Sequence, residues 1–274
     1  MRFYISADIE GIAGVVSREH TSPQGFEYER ARDWMTDTVA AACEAALGAG
    51  AEEIVVSDSH GNGQNLKMER LPDKVQLVRS WPRPLAMMQG IEVGRYDGAM
   101  FIGYHAGSTA MGGILSHTMR SVSLREVRLN GRVVPEAGVN AAIAGHFGVP
   151  IIMISGDDAF VAETREILGD VEAATVKWAY STLSARTLTP KAAYALVAET
   201  ARRAIARRRD FQPHRIAGPI ELQVSFKHRF PAEYLSFTNF VERIDAFTIR
   251  YVGKDIEEIS RFLVFLLGYS STLS

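Results

Sequence analysis

The 274-residue chain has a single cysteine, Cys43, so no intrachain disulfide can form and a reducing compartment suits it. Cys43 falls in an alanine-rich helical pattern, TVAAACEAALGAG, and reads as a small core residue, not a nucleophile. No charge of one sign dominates: 30 basic residues against 32 acidic give a formal net charge of -2. That balance argues against a nucleic-acid or anionic-membrane partner, which would call for a basic excess. The one basic run, Arg202-Arg203 with Arg207-Arg208-Arg209, reads as a solvated helix face and C-terminal turn. No apolar stretch approaches the ~20 residues that cross a bilayer, and the N-terminus goes directly into a strand pattern. Neither a membrane span nor a secretory signal is expected, and the expected location is cytoplasmic. Several motifs are missing as well. There is no G-x-x-x-x-G-K-[ST] phosphate loop, no H-E-x-x-H, no G-x-S-x-G, and no G-x-G-x-x-G placed between strand and helix. Internal repeats and low-complexity segments are absent too.

What is present alternates. Strand patterns at 2–8, 52–58, 75–80, 98–104 and 149–155 are largely continuous apolar runs, as expected of strands covered on both faces. Helical patterns at about 27–47, 136–147 and 159–168 lie among them, the first closed by Gly48 and Gly50. This predicts an α/β fold with a mainly parallel twisted sheet flanked by helices. SLREVRLNGRVVPE interrupts it as an antiparallel hairpin around Asn130-Gly131. Beyond about residue 180 come a long Ala/Arg helix (190–209), the linker FQPHRIAGP, strands IELQVSF and DAFTIRYVG, and a last helix at 255–267. Two units are expected: a catalytic α/β domain at 1–188 and a smaller C-terminal α+β lobe at 189–274.

In open α/β sheets, ligands bind at the carboxyl ends of the strands. The first strand ends in "SADIEG", where Asp8 and Glu10 are spaced to share one strand face. Two adjacent carboxylates repel unless a proton or a cation lies between them. The second strand ends in Asp58-Ser59-His60 and the fourth in Tyr104-His105; His117 follows in GGILSHTM, Glu136 opens a helix, and Asp157-Asp158 follow the fifth strand. Each has an ordinary alternative: a surface histidine, a helix N-cap at Asp157 or Asp158, a first-turn acid at Glu136. Gathered at one sheet edge, Asp8, Glu10, His60, His105 and Glu136 suit Zn²⁺, with Mn²⁺ or Co²⁺ also compatible. Five such ligands with one bridging carboxylate are a natural set for two metals roughly 3.5 Å apart. Asp58 is a candidate partner for a ligand histidine, or simply a turn-capping residue. His20 reads as a loop residue and His146 as a helix-end residue, and the loop at 17–26 is placed to border a substrate pocket.

These segments resemble the D-aminopeptidase family of zinc peptidases (peptidase family M55). "SADIEG" (6–11), "SDSHG" (57–61), "FIGYHA" (101–106), "SHTM" (116–119), "EAGVNAAIAGHFGVP" (136–150) and "SGDD" (155–158) run in the family's order. The likeness covers about residues 1–190 and is looser beyond. It implies a two-zinc aminopeptidase acting on short peptides, D-residues favoured and L-residues possible. Asp8 is then the carboxylate shared by both metals, with Glu10, His60, His105 and Glu136 as the remaining ligands and His117 as the catalytic histidine. It also implies a homo-oligomeric ring of two stacked pentamers, the C-terminal lobe contributing contacts. Rival readings are another two-metal amidase or phosphoesterase, or a non-catalytic binding protein that keeps metal for stability.

Overall fold

A computed structural model describes residues 1–269 of the chain. Seven strands form the main sheet: β1 (Arg2–Ala7), β2 (Glu53–Asp58), β3 (Val75–Val78), β4 (Gly98–Tyr104), β7 (Ile151–Asp157), β8 (Glu172–Ser181) and β9 (Ser184–Thr187). Their order is β3-β2-β1-β4-β7-β8-β9, parallel throughout except that β9 returns antiparallel to β8. The intervening labels belong to a second, antiparallel sheet: β5 (Leu124–Leu129), β6 (Arg132–Val133), β10 (Ile220–Phe226), β11 (Glu242–Arg243) and β12 (Thr248–Gly253), ordered β11-β12-β10-β5-β6. The α/β architecture and mainly parallel sheet match the expectation from the sequence.

The central strands are apolar because both faces are covered. Phe3, Tyr4, Ile5 and Phe101 are all fully buried. Helix α1 (Tyr28–Gly48) and helix α4 (Pro190–Ala206) pack together on one side, using small residues such as Ala31, Ala42 and Cys43 on the first and Ala193, Ala201 and Ala204 on the second. Helix α2 (Glu136–His146) belongs to the core on the opposite side. Helix α3 (Asp158–Leu168) starts from Asp157, whose side chain accepts from Phe160 N. The other helices are α5 (Arg229–Leu235) and α6 (Ile256–Gly268), the latter capped by Asp255. Among the described residues no helix is long and apolar enough to cross a membrane.

Three differences from the sequence reading have physical causes. Strands β8 and β9 were not expected, because Lys177 interrupts the apolar pattern and the pairing with β7 slips between Thr175 and Lys177. That slip buries two successive residues, Val176 and Lys177, and erases the alternation. The helix over 190–209 stops at Ala206, where Arg207 turns to ion-pair with Asp170 (2.6 Å) and Glu172 (2.6 Å). Finally, the two sheets do not divide the chain at residue 188. The β5–β6 hairpin, with Asn130 and Gly131 both at positive φ, joins the second sheet through β10, while α4 packs on the first. Residues 270–274 of the expected 189–274 lobe lie outside the described residues.

Candidate metal centre

The chain leaves β1 in one direction through β2 to β3, then crosses back to lay β4 on the other side of β1. The carboxyl ends of β1 and β4 therefore flank a topological switch point, the usual ligand-binding crevice of such sheets. Asp8 and Glu10 follow β1, His60 follows β2, His105 follows β4, and Glu136 is the first residue of α2. The sheet brings all five together with His117, which arrives on the loop between β4 and β5.

Asp8 and Glu10 do not converge as neighbours on a strand. Strand β1 ends at Ala7, and a tight turn delivers both carboxylates to His60, with Asp8 Oδ1 at 3.2 Å and Glu10 Oε2 at 2.9 Å from Nδ1. This turn explains the glycine of SADIEG. Gly11 N donates to Gly103 O (2.7 Å), and a Cβ on Gly11 would lie 1.9 Å from the Tyr104 carbonyl oxygen. Gly103, at φ +74, leaves matching room beside the Asp8 carbonyl.

The three imidazoles share one arrangement. His60 Nε2 faces the Thr21 carbonyl oxygen (2.8 Å), His105 Nδ1 the Ala106 oxygen (3.0 Å) and His117 Nδ1 the Leu115 oxygen (2.8 Å). A carbonyl oxygen only accepts, so in each neutral ring the outward nitrogen carries the hydrogen and the inward one presents a lone pair. Those lone pairs point at carboxylates. His105 Nε2 is 3.4 Å from Asp8 Oδ2 and 3.6 Å from Glu136 Oε1, and His117 Nε2 is 3.7 Å from the same Glu136 oxygen. A lone pair against an anion is unfavourable unless a proton or a cation intervenes. An outer nitrogen anchored to an acceptor and an inner one aimed at the centre is the arrangement of metal-ligating histidines.

The electrostatics agree. Burial and the neighbouring Glu10 push the Asp8 carboxyl up to about 6. Glu10 itself is held well below its ordinary value, burial being outweighed by the facing His60. Burial pulls His60 down, but Glu10 and Asp8 override it and raise it strongly. Burial, then the stacked His117 ring at 4.1 Å, lowers His105. His117 is raised, Glu136 and Glu10 outweighing burial, while burial raises Glu136. Three buried carboxylates compete for too few protons, and Glu10 Oε2 is buried without a hydrogen bond of acceptable geometry. The donor set fits divalent zinc: hard carboxylate oxygens and imidazole nitrogens in two groups, Asp8-Glu10-His60 and His105-His117-Glu136.

The surroundings hold these groups in place. Among the described residues the Asp58 carboxylate bonds no imidazole. It accepts from Asn65 N (2.6 Å), Asn65 Nδ2 (2.7 Å) and Leu66 N (2.7 Å), and Asn65 Nδ2 also donates to the His60 carbonyl oxygen (2.7 Å), so Asp58 ties down the loop that carries His60. Met119 N donates to Glu136 Oε1 (2.6 Å), and Leu115 and Met119, on either side of His117, both adopt positive φ. Asp157 Oδ2 accepts from Ile114 N (2.7 Å), pinning the same loop. The residue that sequence reading missed is Lys177. It is fully buried, and its ammonium donates to the carbonyl oxygens of Glu10, Ile12 and Val15. A lone lysine among Val176, Trp178 and Ala179 was the available signal. His20 lies outside the centre, bonded to Ser17 Oγ (3.0 Å) and stacked on Trp34, and His146 ends α2 beside Phe147.

A cavity of about 1090 Å³ opens onto the centre. Asp8, Glu10, His60, His117 and Glu136 line its inner end, and Arg18, Thr21, Ser22 and Pro23 of the 17–26 loop form part of its wall.

Comparison with known proteins gives concordant results. The family model for peptidase M55, D-aminopeptidase, matches residues 1–265. A D-aminopeptidase of Bacillus subtilis (strain 168) is 30% identical over 259 residues, spanning 94% of this chain and 93% of its own. The solved Zn-dependent D-aminopeptidase DppA from Bacillus subtilis, a self-compartmentalizing protease, superposes with a TM-score of 0.93 at 29% identity, covering 99% of each chain. The chain is a member of the M55 D-aminopeptidase family.

Proposed function

We propose that the chain is a zinc-dependent aminopeptidase that releases N-terminal residues, D-amino acids favoured, from short peptides. The observation that carries this reading is the set of three anchored imidazoles whose free nitrogens face three buried carboxylates at the inner end of a peptide-sized cavity. The chain's membership of the D-aminopeptidase family and the zinc dependence of the solved neighbour support it.

Asp8 is placed to be shared: its two oxygens face different imidazoles, Oδ1 toward His60 and Oδ2 toward His105. Glu10 and His60 complete one set of ligands and His105 and Glu136 the other. When bound, zinc lowers the pKa of a water and polarises the scissile carbonyl. The substrate's free α-amine would sit at the same centre, beside Asp8, Glu10 and Glu136, which favours an exopeptidase. His117 holds its outer nitrogen on Leu115, so Nε2 is the atom at which it takes or gives a proton to the reacting amide. Lys177 and Asp58 keep the Glu10 turn and the His60 loop in register.

The solved neighbour is a self-compartmentalizing protease, which supports self-assembly, and we infer a homo-oligomer, as a decameric ring of two pentamers. Phe230, Tyr234 and Phe237 form an exposed aromatic run on and just after α5, with Phe237 75% exposed and neighbouring rings 4.3 and 5.6 Å apart. Such a run is suited to burial between subunits, and sedimentation of the pure protein tests it. The buried free Cys43 suits a cytoplasmic setting.

The direct test is hydrolysis of D-Ala and L-Leu p-nitroanilides before and after chelation, with Zn²⁺ or Mn²⁺ restored. Activity that survives chelation refutes the reading. His117→Ala removes turnover and leaves bound zinc at wild-type stoichiometry; loss of metal would make His117 a ligand, which its place beside His105 and Glu136 also permits.

A further inference from the structure

The cavity has two charged poles. Among the described residues its only acidic lining residues are Asp8, Glu10 and Glu136, at the metal centre. Its cations are Arg18 on one wall, and Arg120 and Lys227 on another. Arg120 and Lys227 each donate to a main-chain carbonyl. Arg120 Nη1 donates to Leu267 O (2.9 Å), and Lys227 Nζ donates to the oxygen of Ser121, the residue next to Arg120. Neither makes an ion pair among the described residues, so most of the guanidinium's five donors remain for an anion. Apolar groups of Met119, Val122, Val264 and Leu267 line the wall around them. Arg120 follows His117 by three residues, which limits their backbone separation to roughly 11 Å. A peptide that reaches from the centre to Arg120 along this loop is therefore short.

We propose that Arg120, assisted by Lys227, binds the free C-terminal carboxylate of a two- or three-residue peptide whose amino end lies at the Asp8-Glu10-Glu136 pole; this rests on the peptidase reading and names its substrate class. A guanidinium matches a carboxylate with two parallel hydrogen bonds. A centre that takes the amino end and a cationic wall that takes the carboxylate select a short peptide with both ends free, and a long chain, whose carboxylate is many residues from the scissile bond, is disfavoured. Amidation of the peptide's C-terminus removes the charge that the second pole reads and leaves the first untouched.

The test is calorimetric binding to the zinc-loaded protein of a reduced-amide analogue of D-Ala-D-Ala, as free acid and as carboxamide. The wild-type protein binds the acid about tenfold more tightly or better. Arg120→Gln brings the two to within about twofold of each other, and Lys227→Met, a change at an exposed side chain, narrows the gap by a smaller factor. The readout is the ratio of affinities, which a general loss of folded protein does not move. Equal binding of acid and amide by the wild type overturns the proposal, as does a full acid preference in the double variant. A chain ending after residue 269 keeps the preference; its loss there would give the carboxylate selection to residues 270–274 and also overturn the proposal. Peptidase activity is read separately on D-Ala-D-Ala itself. A protein that prefers the acid but cleaves nothing refutes the peptidase reading and leaves the carboxylate site standing.

Discussion

Replacing Lys177 by methionine separates two opposing terms at one buried atom. The ammonium is 0% exposed and gives its hydrogens to the carbonyl oxygens of Glu10, Ile12 and Val15, so it closes the turn on which Glu10 sits. Burying it is costly: desolvation depresses its pKa from the ordinary 10.5 to about 8, which corresponds to about 3 kcal/mol. Methionine has similar length and removes that cost. It also strands two carbonyl oxygens, of Glu10 and Val15, each worth about 1–3 kcal/mol when left buried without a partner, while the Ile12 oxygen keeps the Val15 N–H. The second term, about 4 kcal/mol at the middle of that range, is larger, so Lys177→Met destabilises by about 1 kcal/mol and lowers the melting temperature by roughly 2–4 °C. Because the loosened turn carries Glu10, zinc affinity falls as well, by about tenfold or more. Differential scanning fluorimetry of the metal-free protein gives the first quantity, and zinc competition against a chromogenic chelator gives the second. A variant as stable as the wild type, or more so, refutes the reasoning, because the lysine would then be a tolerated burden and not a clamp. Normal zinc affinity at reduced stability would confine Lys177 to a purely structural role.

Other perturbations probe other parts of the same construction. Asp58→Ala removes three hydrogen bonds from the His60 loop without touching an imidazole, and zinc affinity measured by chelator competition should fall about 10–100-fold; an unchanged value would disconnect the loop from the site. Gly11→Ala sets a Cβ 1.9 Å from the Tyr104 carbonyl oxygen, where backbone has to move, so the urea midpoint should drop by the equivalent of about 4 kcal/mol or the protein should fail to fold; a wild-type midpoint is the contrary result. Cys43 is pushed up to about 12 by burial and by Glu44, so the folded chain keeps the thiol proton that the unfolded chain releases from about pH 9 upward. Its contribution to stability is therefore complete below pH 9 and declines between pH 9 and 12, and at pH 8 the native thiol should resist Ellman's reagent while the denatured chain reacts once; fast labelling of native protein would contradict this.

The fold was legible where burial is continuous. Strands such as β1 and β4 are covered on both faces, so runs like RFYISA and GAMFIGY announce themselves without alternation. Strand β8 was not legible, for a reason specific to it. A register slip and a buried lysine put a charge where a pattern of apolar residues demands none, and only the three carbonyls of a distant turn make that charge tolerable. The sheet membership of the β5–β6 hairpin was hidden for another reason. Asn130-Gly131 specifies a turn, but nothing local specifies that β10, some ninety residues later, is the strand beside β5.

At the metal centre the same division follows from chemistry. The side chains Asp8, Glu10, His60, His105, His117 and Glu136 are visible in a sequence because their identities are the donors. Their anchors are not, because the groups that fix each ring are main-chain oxygens of Thr21, Ala106 and Leu115, and every residue has one of those. Sequence could therefore assemble the ligand types but not decide which nitrogen of each histidine faces inward. The structure decides it, and the consequence is testable at a single atom. Since Leu115 lies at positive φ with its oxygen on His117 Nδ1, Leu115→Gly should keep that conformation, whereas Leu115→Val disfavours it and releases the ring. The valine variant should lose turnover on D-Ala p-nitroanilide by about tenfold or more while the glycine variant retains most of it. The reverse order would show that the ring is oriented by something other than the Leu115 carbonyl.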